Sequence, residues 1–404
     1  MNLADMLSYA DIGQLSRIAT TYSCECNGHS KNELIQSILQ AVGRKEVFEA
    51  QVGSMKLEEL RFMNSLLFDP RDSFSLEELI ARVQQSKFGE PQTDAEPVKA
   101  QGAHAKEPKA KRPGSKRTKA AGSEAAPETG PRATITRFKQ YGWLFNGFSG
   151  PNRYLFQVPA DLKIRFRETL ERRFMGQLTY AADDPQAYRD EQQLLGCDVS
   201  EMLTFIYQND IPLTAEGAMY KRSVLQIIDR LGVKEMLPAR GEWRFGYGRR
   251  MKEYPNRMAF IYDYCYFNGW ITETGPSLAL TSEGMQRQAQ RRPEQPDKLY
   301  RFWLRLYKNA VPNLRSLVHW IDKLSPRWVS AESLKNTLSP FIKPYYYDNA
   351  ETIFEQRLSG MMLHLGLIRI GEHNELGRVI RMTPLGRAVI AGLNLEDEEA
   401  IVLE

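Results

Sequence analysis

The chain has 404 residues, 42% of them hydrophobic, and a formal net charge of +4. That length exceeds one ordinary core and implies roughly two to four domains, and no run nears the ~18 consecutive apolar residues needed to span a bilayer. The opening residues carry Asp5 and Asp11 with no basic flank and do not read as a signal peptide; four cysteines (Cys24, Cys26, Cys197, Cys265) make no disulfide framework, so a reducing cytoplasmic setting is expected.

Residues 1–45 read as a short helical hairpin. Ile12, Leu15, Ile18 and Ala19 fall at helical spacing, Asn27-Gly28 marks a turn, and Ser30-Lys31-Asn32-Glu33 is a capping box that opens a second helix. Two short helices bury little surface, so this unit should lean on a neighbour. A second helical pair covers 57–68 and 75–83, the latter opened by Ser75-Leu76-Glu77-Glu78.

From Lys99 to Lys119 the chain carries Lys99, Lys106, Lys109, Lys111, Arg112, Lys116, Arg117 and Lys119 against Glu107 alone, with no large apolar residue. Such a stretch cannot build a core and suits either a solvated linker or a polycation acting on phosphates. It lies in a polar insert, about 89–132, where the chain would pass from the second to the third helix of a winged helix spanning 55–159. The competing division is two domains joined by a linker.

A repeated plan follows. Three segments, GWLFNGFSGPNRYLFQVPADL, GWITETGPSLALTSEGM and GLIRIGEHNELGRVIRMTPLGRA, each give a strand, a polar turn, a second strand and a helix start. Apolar helical runs precede the second and third, at 258–267 and 353–365. Thr281 and Thr383 can cap the closing helices, and Pro159 and Pro384 suit a first turn. The expected architecture is mainly α with small β-hairpins. It divides into an N-terminal helical hairpin, winged-helix modules over 55–159, 160–295 and 296–393, and an acidic tail at 394–404.

Two resemblances rest on these segments. NGHSKNELIQSIL resembles the SAP and Rho-N-terminal type of helical hairpin, whose members commonly bind DNA or RNA. The pieces GWLFNGFSGPNRYLFQVPADLK, DIPLTAEGAMYKRSVLQIIDRLG and NGWITETGPSLALTSEG resemble the helicase-associated N-terminal domain of XPB-type helicases and of standalone bacterial proteins. That likeness implies winged helices that engage DNA or partner proteins. No G-x-x-x-x-G-K-[ST] is present, so the phosphate cradle of a motor is missing from the sequence.

Candidate contacts follow from the chemistry of a winged helix, which sets a helix in the major groove and a wing on adjacent backbone. The third wing carries Arg369, Arg378 and Arg381, and its helix Arg357. Lys221 and Arg222 open a helix of the second unit, and Lys31 opens one in the N-terminal hairpin. The densest signal is GEWRFGYGRRMKEYPNR, where Arg244, Arg249, Arg250, Lys252 and Arg257 interleave with aromatic residues; it fits phosphate contacts with base stacking, or a loop whose aromatics enter the core. Cys24-Glu25-Cys26 and His29 lack the spacing and fourth ligand of a structural zinc site. His319 and His364 sit in apolar helical segments, and no nucleophile elbow or H-E-x-x-H pattern occurs. The expectation is a DNA-binding protein with no enzymatic activity, cofactor, metal or membrane association, or alternatively a scaffold that docks a helicase, polymerase or nuclease.

Overall fold

The computed structural model describes residues 1–24, 30–69, 71–89, 130–148, 150–237, 247–250 and 252–392. Most are helical, with small antiparallel sheets. Four helices, not two, begin the chain: α1 (Leu3–Tyr9), α2 (Ile12–Thr21), α3 (Lys31–Gly43) and α4 (Lys45–Gly53). Asn2 and Asp5 exchange side-chain and backbone hydrogen bonds across the first turn of α1, which buries Leu3, Met6 and Leu7. Phe48 and Val52 do the same inward work for α4. Both helices are too short to announce themselves by periodicity, and both are held by packing.

Three units of one connectivity follow. In the first, α5 (Leu57–Leu67) leads to Phe74, which pairs with Phe156 through two backbone hydrogen bonds. Then come α6 (Leu76–Ser86), α7 (Pro131–Gln140) and the hairpin β1 (Phe145–Asn146) with β2 (Phe156–Gln157). These strands are shorter than the sequence suggests, because 150–154 forms a 3₁₀ turn. α6 and α7 pack together, and most of the polar insert between them, with its basic run, lies outside the described residues. The acidic tail lies outside them too.

Next, α8 (Ala160–Met175) buries Leu162, Phe166, Leu170 and Phe174 as a single stripe. Phe166 packs edge-on to Phe48 and Trp143, and Phe174 to Trp320 and Phe341. α8 therefore braces the N-terminal helices, the first unit and the third, although the sequence grouped it with the second. After β3 (Ala187–Arg189), the second unit runs α9 (Leu194–Gln208), β4 (Ile211–Pro212), α10 (Lys221–Arg230), α11 (Asn256–Phe267), β5 (Ile271–Thr274) and β6 (Ser277–Leu280). It closes with α12 (Ser282–Ala289), and α13 (Pro296–Tyr307) leads to the third unit.

That unit runs α14 (Leu314–Leu324), β7 (Val329–Ser330), α15 (Ala331–Leu338), then α16 (Ala350–Thr352) and α17 (Gly360–His364) joined by a π-helical stretch, Ile353–Ser359. β8 (Ile368–His373), β9 (Gly377–Met382) and α18 (Pro384–Gly392) complete it. In the second and third units the short early strand pairs with the second hairpin strand, giving orders β4-β6-β5 and β7-β9-β8. β3 adds an unexpected fourth strand beside β8. The buried apolar residues of all three units form one continuous core.

Candidate nucleic-acid interface

The cations singled out in the sequence do not form one face. Arg257 is 0% exposed, pairs with Asp198 and lies 3.5 Å from Glu191, so it is an internal counter-ion and not a surface contact. A buried guanidinium stays charged, and only carboxylates on the spot offset its lost hydration. Arg357 is likewise buried, 3.0 Å from Asp348 and over the ring of Tyr247. Arg249 and Arg250 both pair with Glu273, at 3.2 and 2.8 Å. Tyr247 and Tyr254 are buried, as the core alternative for that loop requires, while Arg244 lies outside the described residues.

On the third hairpin, Arg369 pairs with Asp190 at 2.7 Å and stacks on Tyr188. Arg381 lies 3.8 Å from Asp184 and over Trp328, and Arg378 lies 4.0 Å from Glu372. Lys221, Arg222 and Lys252 are exposed, and Lys31 is half-buried on the first turn of α3. Cys26 and His29 lie outside the described residues, among which no cluster of metal-ligating side chains occurs.

The third helix of each unit, the one a groove reader would present, differs sharply in what it shows. In α11 every residue from Arg257 to Cys265 is buried. The outward positions of α16 and the π-helical stretch include Glu351, Glu355 and Gln356. α7 carries no acid of its own: Arg132 is exposed and Lys139 half-exposed, while Arg137 pairs with Glu59 at 2.8 Å. Partial burial, aided by Arg17, lowers the Lys139 pKa.

Another gathering of positive charge among the described residues lies in a cleft of about 600 Å³ between the first and third units. Arg61, Arg71 and Arg82 line the side of α5 and α6. Arg301, Arg305, Lys308, Arg315 and Lys343 line the side of α13, α14 and the segment after α15. Against these eight cations stand Asp69 and Glu78, both already held by Arg71 and Arg82. Burial opposes ionisation of Asp69, but the hydrogen bonds from Arg71 and Arg82 outweigh it and hold its carboxyl below the usual range.

The two walls are locked together. Arg61 donates to the carbonyls of Pro340 and Phe88 at 2.7 and 2.6 Å and stacks 3.6 Å above the Phe88 ring. Asn64 donates to Ser316 and accepts from the Trp320 indole, both bonds buried. Arg301, Arg315 and Lys343 make no hydrogen bond or ion pair among the described residues, and Arg301 Nε is buried without an acceptor. Cations lining one wall of a partly enclosed cleft favour an anion beside them. No family model matches this sequence, and no curated protein or solved structure matches it either.

Proposed function

We infer that the chain is a DNA-binding protein without a motor of its own, built on tandem winged-helix units. The observation that carries this reading is the cleft, where eight cations meet two carboxylates that are already engaged. A phosphate backbone is the polyanion that such an array fits, and its contacts position a strand without reading sequence. Supporting it, each unit runs helix, short strand, helix, helix, hairpin, with the early strand beside the second hairpin strand, which is the winged-helix connectivity. Arg132 and Lys139 on α7 offer a second contact area. The resemblance to helicase-associated domains extends the proposal to a partner: a helicase or other DNA-processing enzyme that supplies the motor.

The test is fluorescence anisotropy of labelled DNA oligonucleotides against salt. If about six phosphates are neutralised, affinity falls on the order of a thousandfold between 50 and 200 mM salt. The double variant Arg301→Glu, Arg315→Glu should bind weakly and with a shallower salt slope. Absence of binding, or affinity indifferent to salt and to this variant, would refute the reading.

A further inference from the structure

Phe68 belongs to the cleft lining, and two cationic side chains from outside that lining rest on its ring. The Arg167 guanidinium of α8 lies 5.5 Å from the ring centre, and the His319 imidazole of α14 packs on it at 4.6 Å. Arg167, His319 and the nearby Lys323 make no hydrogen bond or ion pair among the described residues, and Arg167 Nε is buried without an acceptor. Burial lowers the Arg167 pKa with no carboxylate opposing it, and burial together with Arg167 and Lys323 lowers that of His319. A guanidinium stays charged through such a shift, so this corner holds positive charge that no acid offsets.

The pattern of α14 lays that charge out in a line. Arg315, His319, Asp322 and Lys323 are the positions of this helix that are not buried. Residues 315, 319 and 323 recur at every fourth position and form one stripe, about 12 Å from end to end. Asp322, the acid among them, lies 3.9 Å from Arg387 with its Oδ1 buried. Arg315 lines the cleft, so the stripe begins there and leaves it past Phe68 toward Lys323. α8 packs along α14 through Phe174 and Trp320. Of its other cations, Lys163 is held by Asp72 at 3.0 Å and Arg172 by Glu49 at 2.7 Å, whereas Arg167 has no such acid.

We propose that Arg167 and Lys323, with His319 beside them, form a second phosphate subsite that continues the cleft, so that the DNA backbone leaves Arg315 over Phe68 and runs along α14. This rests on the DNA-binding reading above and goes beyond it by giving the strand a path. A phosphodiester here supplies the acceptor that Arg167 lacks and settles cations that otherwise repel one another. The neutral imidazole adds one N–H donor to the same oxygens.

The full chain and its Lys323→Gln, Arg167→Gln, Arg167→Lys and Arg172→Gln variants are titrated with labelled DNA at several salt concentrations, and each is melted alone. Lys323→Gln and Arg167→Gln should each flatten the logarithmic salt slope by about one, and weaken binding roughly 3- to 10-fold near 100 mM salt whatever the DNA sequence. Arg167→Lys keeps the charge and should keep the slope, even where a poorer fit on Phe68 lowers the melting temperature. Arg172→Gln removes the same charge from the same helix at a site answered by Glu49, and should change neither slope nor affinity. A slope untouched by both Arg167→Gln and Lys323→Gln, with binding still weakened in Arg301→Glu, Arg315→Glu, overturns the subsite and leaves the DNA reading standing. An equal loss in Arg172→Gln also overturns it, since net charge alone then accounts for the effect. So does inorganic phosphate that raises the melting temperature of the parent but not of Arg167→Gln while the DNA slope stays fixed, which assigns the corner to a free anion. If the parent protein binds no DNA, the DNA reading itself fails.

Discussion

His319 and Asp263 are shifted in opposite directions by burial. His319 lies 4.6 Å from the Phe68 ring; burial, reinforced by Arg167 and Lys323, lowers its pKa to about 4. Between about pH 6.5 and 4 the unfolded chain takes up a proton that the folded chain refuses, so stability falls as pH falls through that window. His319→Phe should flatten this loss, by no more than about 3 kcal/mol, in urea titrations at pH 7 and pH 4.5. Asp263 on α11 is fully buried and accepts from the Arg249 backbone at 2.9 Å; burial raises its pKa to about 7 against the lowering pull of that bond and of Arg249 and Arg250. Its folded pKa is the higher one, so its contribution is intact below about pH 4 and is lost as pH rises toward 7. Asp263→Asn should therefore raise stability most at pH 8, less at pH 5, and change it little below about pH 4. Sequence places His319 in an apolar helical segment, whereas nothing in it marks Asp263, whose titration is displaced by burial among residues far away along the chain. The arginines tell the same story: Arg257, Arg357 and Arg369 look like surface cations until Asp198, Asp348 and Asp190 are seen beside them.

At the scale of elements, the second and third units close by one local device. Thr281 donates to the carbonyl of Gly269 and caps the Gly284 N–H; Thr383 donates to the carbonyl of Gly366 and caps the Gly386 N–H. Gly269 and Gly366 have φ of 68° and 71°, which lets each chain turn sharply from helix into strand. The later glycine lies under the hairpin's first residue: a Cβ at Gly284 would sit 1.9 Å from the Trp270 carbonyl oxygen, and one at Gly386 2.3 Å from that of Leu367. Gly284→Ala and Gly386→Ala should each cost roughly 1–3 kcal/mol or more in chemical unfolding, while Gly43→Ala, with open space around it, should be neutral or mildly stabilising. This much was legible beforehand, because capping threonines, turn glycines and hairpins speak through neighbours in sequence. β3 escaped notice because its three exposed residues carry no alternation, and it exists only because β8 offers an edge.

At the scale of the molecule, the three units share a core, so the cleft is bounded by walls that cannot drift apart without breaking the buried Asn64–Trp320 bond and the part-buried Arg61–Pro340 bond. Trp320→Phe should loosen that seam. The expected result is a lower melting temperature together with weaker DNA binding, read by thermal unfolding and anisotropy on the same preparation. The cleft could not be seen in the sequence, since one wall comes from residues 61–88 and the other from 301–343. The eye is drawn instead to the crowded arginines of 244–257, of which Arg249, Arg250 and Arg257 answer to nearby acids.

The encasement of α11 has a corollary for anyone who would retune the protein. Substitutions from Arg257 to Cys265 can register only as altered yield or heat tolerance, because no incoming molecule meets those side chains. A combinatorial library aimed at binding belongs instead on the cleft walls, at Arg301, Arg315 and Lys343, with the middle unit kept as fixed masonry.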